Sequence, residues 1–226
     1  VNKKAKKNKE SSVDHFIFIG PLCTTPKDNQ SFTNKLIAKH KSLKEPPIYF
    51  IDGGGAFKEI IVSVTSFHIG DGDSSKELGS EFPIIGLNKE KDESDLVHGL
   101  RHYYKGISDK EPLTQLHFYG FIGGELSHQL AVFGDSSSMI RQNEAFIFYD
   151  HEAIKKAELF RGTRNFKKKG LFSLFTFSSQ KISISGEVAY QTNKKDFTPF
   201  SSLGLHNLSE GPFSIESNEP TLIIWD

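Results

Sequence analysis

The chain has 226 residues, a formal net charge of +0 and one cysteine. That length suffices for one large or two modest hydrophobic cores, the charge balance supplies no global field for nucleic acid, and Cys23 alone excludes an internal disulfide or a cysteine-based metal cluster. No uninterrupted apolar run approaches the roughly 18 residues that span a bilayer, and no signal-peptide pattern heads the chain; the expectation is a cytoplasmic protein with no membrane partner.

In chain order, Lys3, Lys4, Lys6, Lys7 and Lys9 make residues 1–12 a solvated, disordered basic tail. No aromatic residue interleaves with these lysines, which argues against a nucleic-acid arm. His15 to Gly20 predicts a strand, Ser31 to Leu43 a helix capped near Ser31, and Pro47 to Asp52 a strand that ends in Asp52-Gly53-Gly54-Gly55. The β-branched run Ile60 to Ile69 predicts a third strand and Phe82 to Leu87 a short fourth. A helix from Asp95 to Tyr104, capped by Ser94, then leads to a strand from Gln115 to Ile122. Gly123-Gly124, a helix from Ser127 to about Phe133 and a strand from Ala145 to Tyr149 close this part. Strands alternating with helices predict an α/β domain over 13–158 with a mostly parallel, Rossmann-like sheet.

Beyond residue 160 the helical period vanishes. Leu171 to Ser178, Lys181 to Ser185, Glu187 to Gln191 and Thr221 to Trp225 read as short strands, which predicts an all-β sandwich domain over 159–226. Arg161 to Gly170, with its Arg and Lys cluster, reads as a basic linker between the two parts.

The chemistry is carried by carboxylates at predicted strand ends. Gly70-Asp71-Gly72-Asp73-Ser74 ends the third strand, Asp52 ends the second, and Asp92 and Asp95 flank the start of the following helix in Lys91-Asp92-Glu93-Ser94-Asp95. Each motif alone also suits an ordinary surface turn. In a parallel sheet, however, these ends lie along one edge, where ligands bind, and five converging carboxylates call for a hard cation such as Mg²⁺. Phosphate is the natural partner of that ion, and the glycine turns at Gly53-Gly54 and Gly123-Gly124 offer backbone N–H groups to it. No P-loop signature and no dinucleotide fingerprint occurs. The nine histidines show no zinc-site spacing.

The ordered motifs resemble those of the thiamine pyrophosphokinase family: Asp-Gly-Gly, Gly-Asp-x-Asp-Ser, Lys-Asp-x-Thr-Asp and Gly-Gly-Arg-x-Asp-His, followed by a β-rich tail. Here they read Asp52-Gly53-Gly54, Gly70-Asp71-Gly72-Asp73-Ser74, Lys91-Asp92-Glu93-Ser94-Asp95 and Gly123-Gly124-Glu125-Leu126-Ser127-His128. The resemblance implies ATP-dependent diphosphate transfer to the hydroxyl of thiamine, with release of AMP, in a cytoplasmic homodimer. It implies Asp71, Asp73 and Asp95 as ligands of Mg²⁺, and Asp71, Asp73, Asp92 and Asp95 as the catalytic set. Nucleotide binding would fall to Asp52, Gly53, Gly54, Ser74, Ser94, Gly123, Gly124 and His128. Substrate binding would fall to Ser127, Gln129, His206 and Asn207, thiamine lying between the sheet edge of one subunit and the β-domain of the other.

The pattern fails at definite places. Glu125 stands where the family has Arg and Ser127 where it has Asp, while Gly204-Leu205-His206-Asn207 replaces a hydroxyl-rich turn before the last strands. Glu lacks the forked cationic donor that Arg presents to phosphate. Two readings stay open: a thiamine pyrophosphokinase with a diverged substrate pocket, or a relative that keeps Mg-nucleotide binding with another acceptor or none. Trp225 is read as core of the β-domain rather than as a wall for a cationic ring, and the 20 phenylalanines as core and dimer interface.

Overall fold

The computed structural model describes residues 14–22, 30–58, 60–61, 65–70, 84–86, 93–106 and 114–226. The basic tail, Cys23, Asp71, Asp73, Ser74 and Asp92 lie outside the described residues. The described strands are β1 (Asp14–Ile19), β2 (Ile48–Ile51), β3 (Ser66–Gly70), β4 (Ile84–Gly86), β5 (Thr114–Tyr119), β6 (Ala145–Tyr149), β7 (Lys155–Phe166), β8 (Gly170–Thr176), β9 (Gln180–Val188), β10 (Thr192–Phe197) and β11 (Asn207–Trp225). The helices are α1 (Gln30–Ser42), α2 (Asp95–Gly106) and α3 (Leu126–Met139), with a 3-10 turn at Asp52–Phe57.

All eleven strands belong to one hydrogen-bonded sheet, in the order β10-β9-β11-β7-β6-β5-β1-β2-β3-β4 with β8 on β11. β1 to β6 pair parallel, as the alternation of strands and helices predicts. At β6–β7 the pairing turns antiparallel, so the sheet as a whole is mixed rather than mostly parallel. The division expected between 158 and 159 lies inside β7, whose ladder joins β6 on one side and β11 on the other.

Each face of the parallel part is covered by what its alternating residues bury. Phe18, Tyr49, Phe118 and Phe148 face α2 and α3, whose Leu96, Leu100, Tyr103, Val132 and Phe133 complete that core. Ile17, Ile19, Phe50, Tyr119 and Tyr149 face α1, which contributes Phe32 and Leu36. A third core fills the strand-rich part around Phe172, Leu174, Ile215 and Trp225. Trp225 is 2% exposed against Phe166, Phe172 and Phe213, which bears out the reading of it as packing.

An aromatic ladder crosses five strands in register. Phe67 opposes Tyr49, Tyr49 opposes Phe18, Phe18 opposes Phe118 and Phe118 opposes Phe148. Neighbouring ring centroids lie 5.0, 4.7, 4.9 and 4.9 Å apart along this row. Cross-strand aromatic pairs of this kind stabilise a sheet beyond their buried area.

Several boundaries differ from the sequence expectation. The third strand begins at Ser66, because Ile60 and Ile61 continue the turn that follows Phe57, with Ile61 buried in the α1-side core. α3 runs to Met139 although Gly134 and three serines suggest an earlier stop. Ser137 and Ser138 donate back to the carbonyls of Gly134 and Asp135 at 2.8 and 2.7 Å, and Ser136 is buried, so the hydroxyls of Ser137 and Ser138 are satisfied within the helix. The basic linker is mostly strand. Arg164 and Lys155 both pair with Glu158, which is fully buried, and Arg161 pairs with Glu219 at 3.1 Å. β11 was legible only at its end: Pro212 and Pro220 interrupt its pattern, yet each falls at a register shift, where no ladder N–H is required.

One buried polar chain underlies the α1 face. His15 Nδ1 lies 3.1 Å from His117 Nε2, and His117 Nδ1 lies 2.9 Å from the Tyr149 hydroxyl. Burial, reinforced by the cations Lys39, His15, Lys155 and Arg164, pushes the His117 imidazole down to about 3. The folded protein therefore refuses a proton that the unfolded chain accepts near 6.5, so this stability is complete above pH 6.5 and falls as pH descends from there toward 3. Urea denaturation across pH 7 to 4 should show the loss, up to about 1.4 kcal/mol per pH unit, and His117→Gln should flatten it. Phe118→Ala should cost about 3–5 kcal/mol in the same measurement at pH 7, and Phe118→Leu markedly less.

Candidate functional site

From β1 the chain steps through β2 and β3 to β4, then returns through α2 to β5 on the other side of β1. The connections leaving β1 and β5 thus diverge, and a crevice opens at the carboxyl ends of the strands, where ligands bind in sheets of this kind. Past the strands the two tails stay joined: the Gly20 N–H donates to Tyr119 O at 2.7 Å and the Leu22 N–H to Gly120 O at 2.9 Å.

A pocket of about 180 Å³ occupies this crevice. Its floor is apolar, built by Pro21, Ile51, Leu96, Phe121, Ala131 and Val132, and its polar groups are Asp52, Ser94, Asp95, His128 and Asp135. On α3 the residues 128, 131, 132 and 135 recur at helical spacing, so one face of the helix serves the pocket. On α2, Ser94 accepts the Val97 N–H at 3.4 Å as the expected cap. Its hydroxyl donates to Asp135 Oδ2 at 2.6 Å, which ties the start of α2 to the middle of α3.

Asp52 has an unusual backbone. Its φ is 49°, a left-handed conformation that costs a non-glycine residue energy. The buried His68 ring supports it, with Nε2 3.1 Å from Asp52 O. A carbonyl can only accept, so Nε2 carries the proton, and burial holds His68 below the usual imidazole range. Gly70, the last residue of β3, abuts this backbone: a Cβ there would lie 3.2 Å from Asp52 Cα.

The structure therefore brings together Asp52, Ser94, Asp95 and His128 from three separated motifs. Gly53 borders the pocket, with Pro21 3.5 Å from where its Cβ would stand. Gly54 is required by packing, since its Cβ would fall 2.0 Å from Ile19 O. Gly123, at φ 101°, and Gly124 are exposed in the turn before α3. Ser127 is exposed outside the pocket lining, and Gln129 Nε2 donates to Gly124 O at 2.9 Å. His206 and Asn207 stand on the strand-rich part, away from the pocket. His206 is exposed, at φ 52°, with its N–H on Ser173 Oγ. The Asn207 amide is occupied by the Tyr190 backbone, accepting its N–H at 3.0 Å and donating to its carbonyl at 2.8 Å. Among the described residues no group of three or more His, Cys, Asp and Glu is arranged to hold a metal ion.

Sequence reasoning missed Asp135 and His68. Asp135 sits among serines in a segment read as past the end of a helix, and the periodicity from His128 was the available signal. His68 reads as one inward position of a strand, and only the Asp52 backbone reveals what its ring supports.

No protein-family model matches the sequence, and no curated protein matches it. Solved structures do. Thiamine pyrophosphokinase from Bacillus subtilis matches with a TM-score of 0.61 at 17% identity, over 94% of this chain and 97% of that one. The enzyme from Candida albicans gives 0.63 at 12% identity, over 98% and 95%. The yeast enzyme gives 0.63 at 10% identity, over 96% and 87%. By architecture this is a protein of the α/β class whose parallel sheet continues into an antiparallel, strand-rich region. Its fold is the one seen in these solved thiamine pyrophosphokinase structures. Among the described residues, no helix is long and apolar enough to cross a membrane.

The glycine turns make separable expectations. Gly54→Ala should lower the melting temperature severely with or without nucleotide, because backbone rather than a flexible side chain blocks the Cβ. Gly123→Ala meets open space and should cost only the left-handed penalty, about 1–2 kcal/mol, in thermal or urea unfolding.

Proposed function

We propose that this protein is an ATP-dependent diphosphotransferase of the thiamine pyrophosphokinase kind. The observation that carries the reading is the edge pocket, which gathers Asp52, Ser94, Asp95 and His128 from three of the four sequence motifs on a fold shared over nearly the whole chain. In this reaction the thiamine hydroxyl oxygen bonds to the β-phosphorus of ATP while the bond from that phosphorus to the bridging oxygen breaks. AMP leaves with the bridging oxygen and the hydroxyl proton is released.

The donors suit Mg²⁺, since Asp52 and Asp95 line one pocket and β3 ends against Asp52 just before Asp71 and Asp73 in sequence; carboxylate oxygens are what a hard cation takes. In this reading Asp71, Asp73 and Asp95 hold the ion, with Asp52 and Asp92 beside them. When bound, the ion neutralises charge on the phosphate oxygens. The protein's own residues position the reactants: His68 sets the Asp52 backbone, and Ser94 fixes the first turn of α2 and so Asp95. A carboxylate of the set takes the proton of the attacking hydroxyl. In this reading the chain acts as a cytoplasmic homodimer, Ser127, Gln129 and His206 facing the acceptor from two subunits while Asn207 holds the Tyr190 backbone behind His206.

A second reading is favoured by one observation: Glu125 and Ser127, which depart from the family pattern, are exposed and lie outside the pocket lining. Under it, Mg-nucleotide binding persists and the acceptor is another hydroxyl compound, or turnover is absent.

Incubation of the purified chain with Mg-ATP and thiamine should yield AMP and thiamine diphosphate in equal amounts. Nucleotide binding without product would select the second reading. Asp71→Asn should remove turnover, by a factor of about 10² or more, without lowering the melting temperature; near-normal turnover would remove Asp71 from the metal set. Glu125→Arg with Ser127→Asp should raise activity toward thiamine if those positions limit it.

A further inference from the structure

The edge pocket has features that diphosphate transfer alone does not require. Its floor of Ile51, Leu96, Phe121 and Val132 is apolar, no Lys or Arg among the described residues lines it, and its volume of about 180 Å³ suits a flat ring. On its α3 wall stands Asp135. One of its oxygens, Oδ2, is committed to the Ser94 hydroxyl at 2.6 Å, and Ser94 spends its single proton in that bond while accepting the Val97 N–H. Oδ1 of Asp135 has no hydrogen-bond partner among the described residues. The pair therefore offers a ligand only acceptors: the free carboxylate oxygen and the remaining lone pair on the Ser94 hydroxyl.

We propose that this pocket binds an amino-substituted heteroaromatic ring, and that Asp135 is its specificity-determining residue, accepting the exocyclic N–H. An oxo group at the same ring position would meet, at this pair, a carboxylate oxygen and the Ser94 lone pair, acceptor against acceptor. The shared chemistry has two sources within the proposed reaction, the 6-amino group of adenine and the 4-amino group of the thiamine pyrimidine. The inference rests on the diphosphate-transfer reading for the identity of those two candidates, and on the pocket for the preference itself.

Calorimetric titration of the full chain with Mg-ATP against Mg-ITP, and with thiamine against its 4-oxo analogue oxythiamine, tests the assignment. One pair should differ by about tenfold or more in favour of the amino member, the order expected for one hydrogen bond to a charged acceptor, and the pair that differs identifies the ring. Asp135→Asn keeps an oxygen for Ser94 and turns an N–H₂ toward the pocket, so it should shrink or reverse the preference in that same pair with the melting temperature unchanged. Ser94→Ala should retain the preference, because Asp135 still accepts. Equal affinities within both pairs, no binding of any of the four ligands, or a preference untouched by Asp135→Asn would overturn the proposal; the comparison on the unmodified protein decides even if the variant fails to fold. The outcome separates from that of the product assay: an amino preference without diphosphate transfer supports the ring pocket and sinks the transfer reading, and transfer without a preference does the reverse.

Discussion

The in-register aromatic ladder from Phe67 through Tyr49, Phe18 and Phe118 to Phe148 is the constraint on which the rest of the molecule depends. A strand that slipped by one residue would exchange the side chains it presents to the α1 face and to the α2–α3 face. Both cores would be lost together. Because the ladder fixes β3, β2, β1, β5 and β6 relative to one another, their carboxyl ends come level, and level ends are what make an edge pocket possible. The register pairs Ile51 with Ile69 and Ile19 with Phe50, so Asp52, Gly70 and Gly20 emerge together. A one-residue error, about 3.3 Å, would separate Asp52 from Gly70.

Level strand ends leave little space, and the chain meets that limit with backbone rather than with side chains. Gly54 lets the 3-10 turn pass against Ile19, and Gly70 lets β3 reach Asp52. Asp52 takes a left-handed conformation that it would not choose alone, and His68 supplies the compensating bond from beneath the sheet edge. These are local conflicts with intrinsic preference, and such conflicts concentrate where a structure serves a site. The glycines look like a phosphate cradle in the sequence, but Gly54 answers first to packing. The two roles separate because a packing glycine is blocked by protein backbone, whereas a cradle glycine faces open space.

How much was legible follows from how each signal is generated. The parallel core was readable, because strands buried on both faces are nearly continuous apolar runs such as Ile48–Ile51, and the intervening helices carry their own period. Asp52, Ser94, Asp95 and His128 were readable as residues of strand and helix ends, which need no long-range knowledge to locate, and the structure places all four on one pocket. What stayed hidden was non-local. Arg164 and Lys155 look like linker charges until Glu158, fully buried, is seen between them; an unpaired carboxylate there would be costly, and no local pattern announces the triad. β11 hides behind Pro212 and Pro220, since only the partner strands show that those positions owe no ladder bond. Asp135 hides because serines blur the end of α3 while the hydroxyls of Ser137 and Ser138 bond within it.

The departures from the family pattern acquire a physical order when placed on the elements that carry them. Asp52 and Asp95 belong to the sheet edge and to the first turn of α2, whose positions the ladder and Ser94 determine; changing them would disturb charge that several backbone segments are arranged around. The departures Glu125 and Ser127 stand at the start of α3 or just before it, on the same helix as Asp135. That helix packs on the sheet through Val132 and Phe133, while its opposite positions, Leu126 and Leu130, are exposed. Substitutions on such an element alter what a ligand meets without altering register, and so cost the fold little. In the proposed reading, phosphate chemistry on the strand ends and ring recognition on α3 would be mechanically separable. The Ser94–Asp135 bond links α3 to the cap of α2, and through it a substitution at Asp135 would be felt at the turn that carries Asp95.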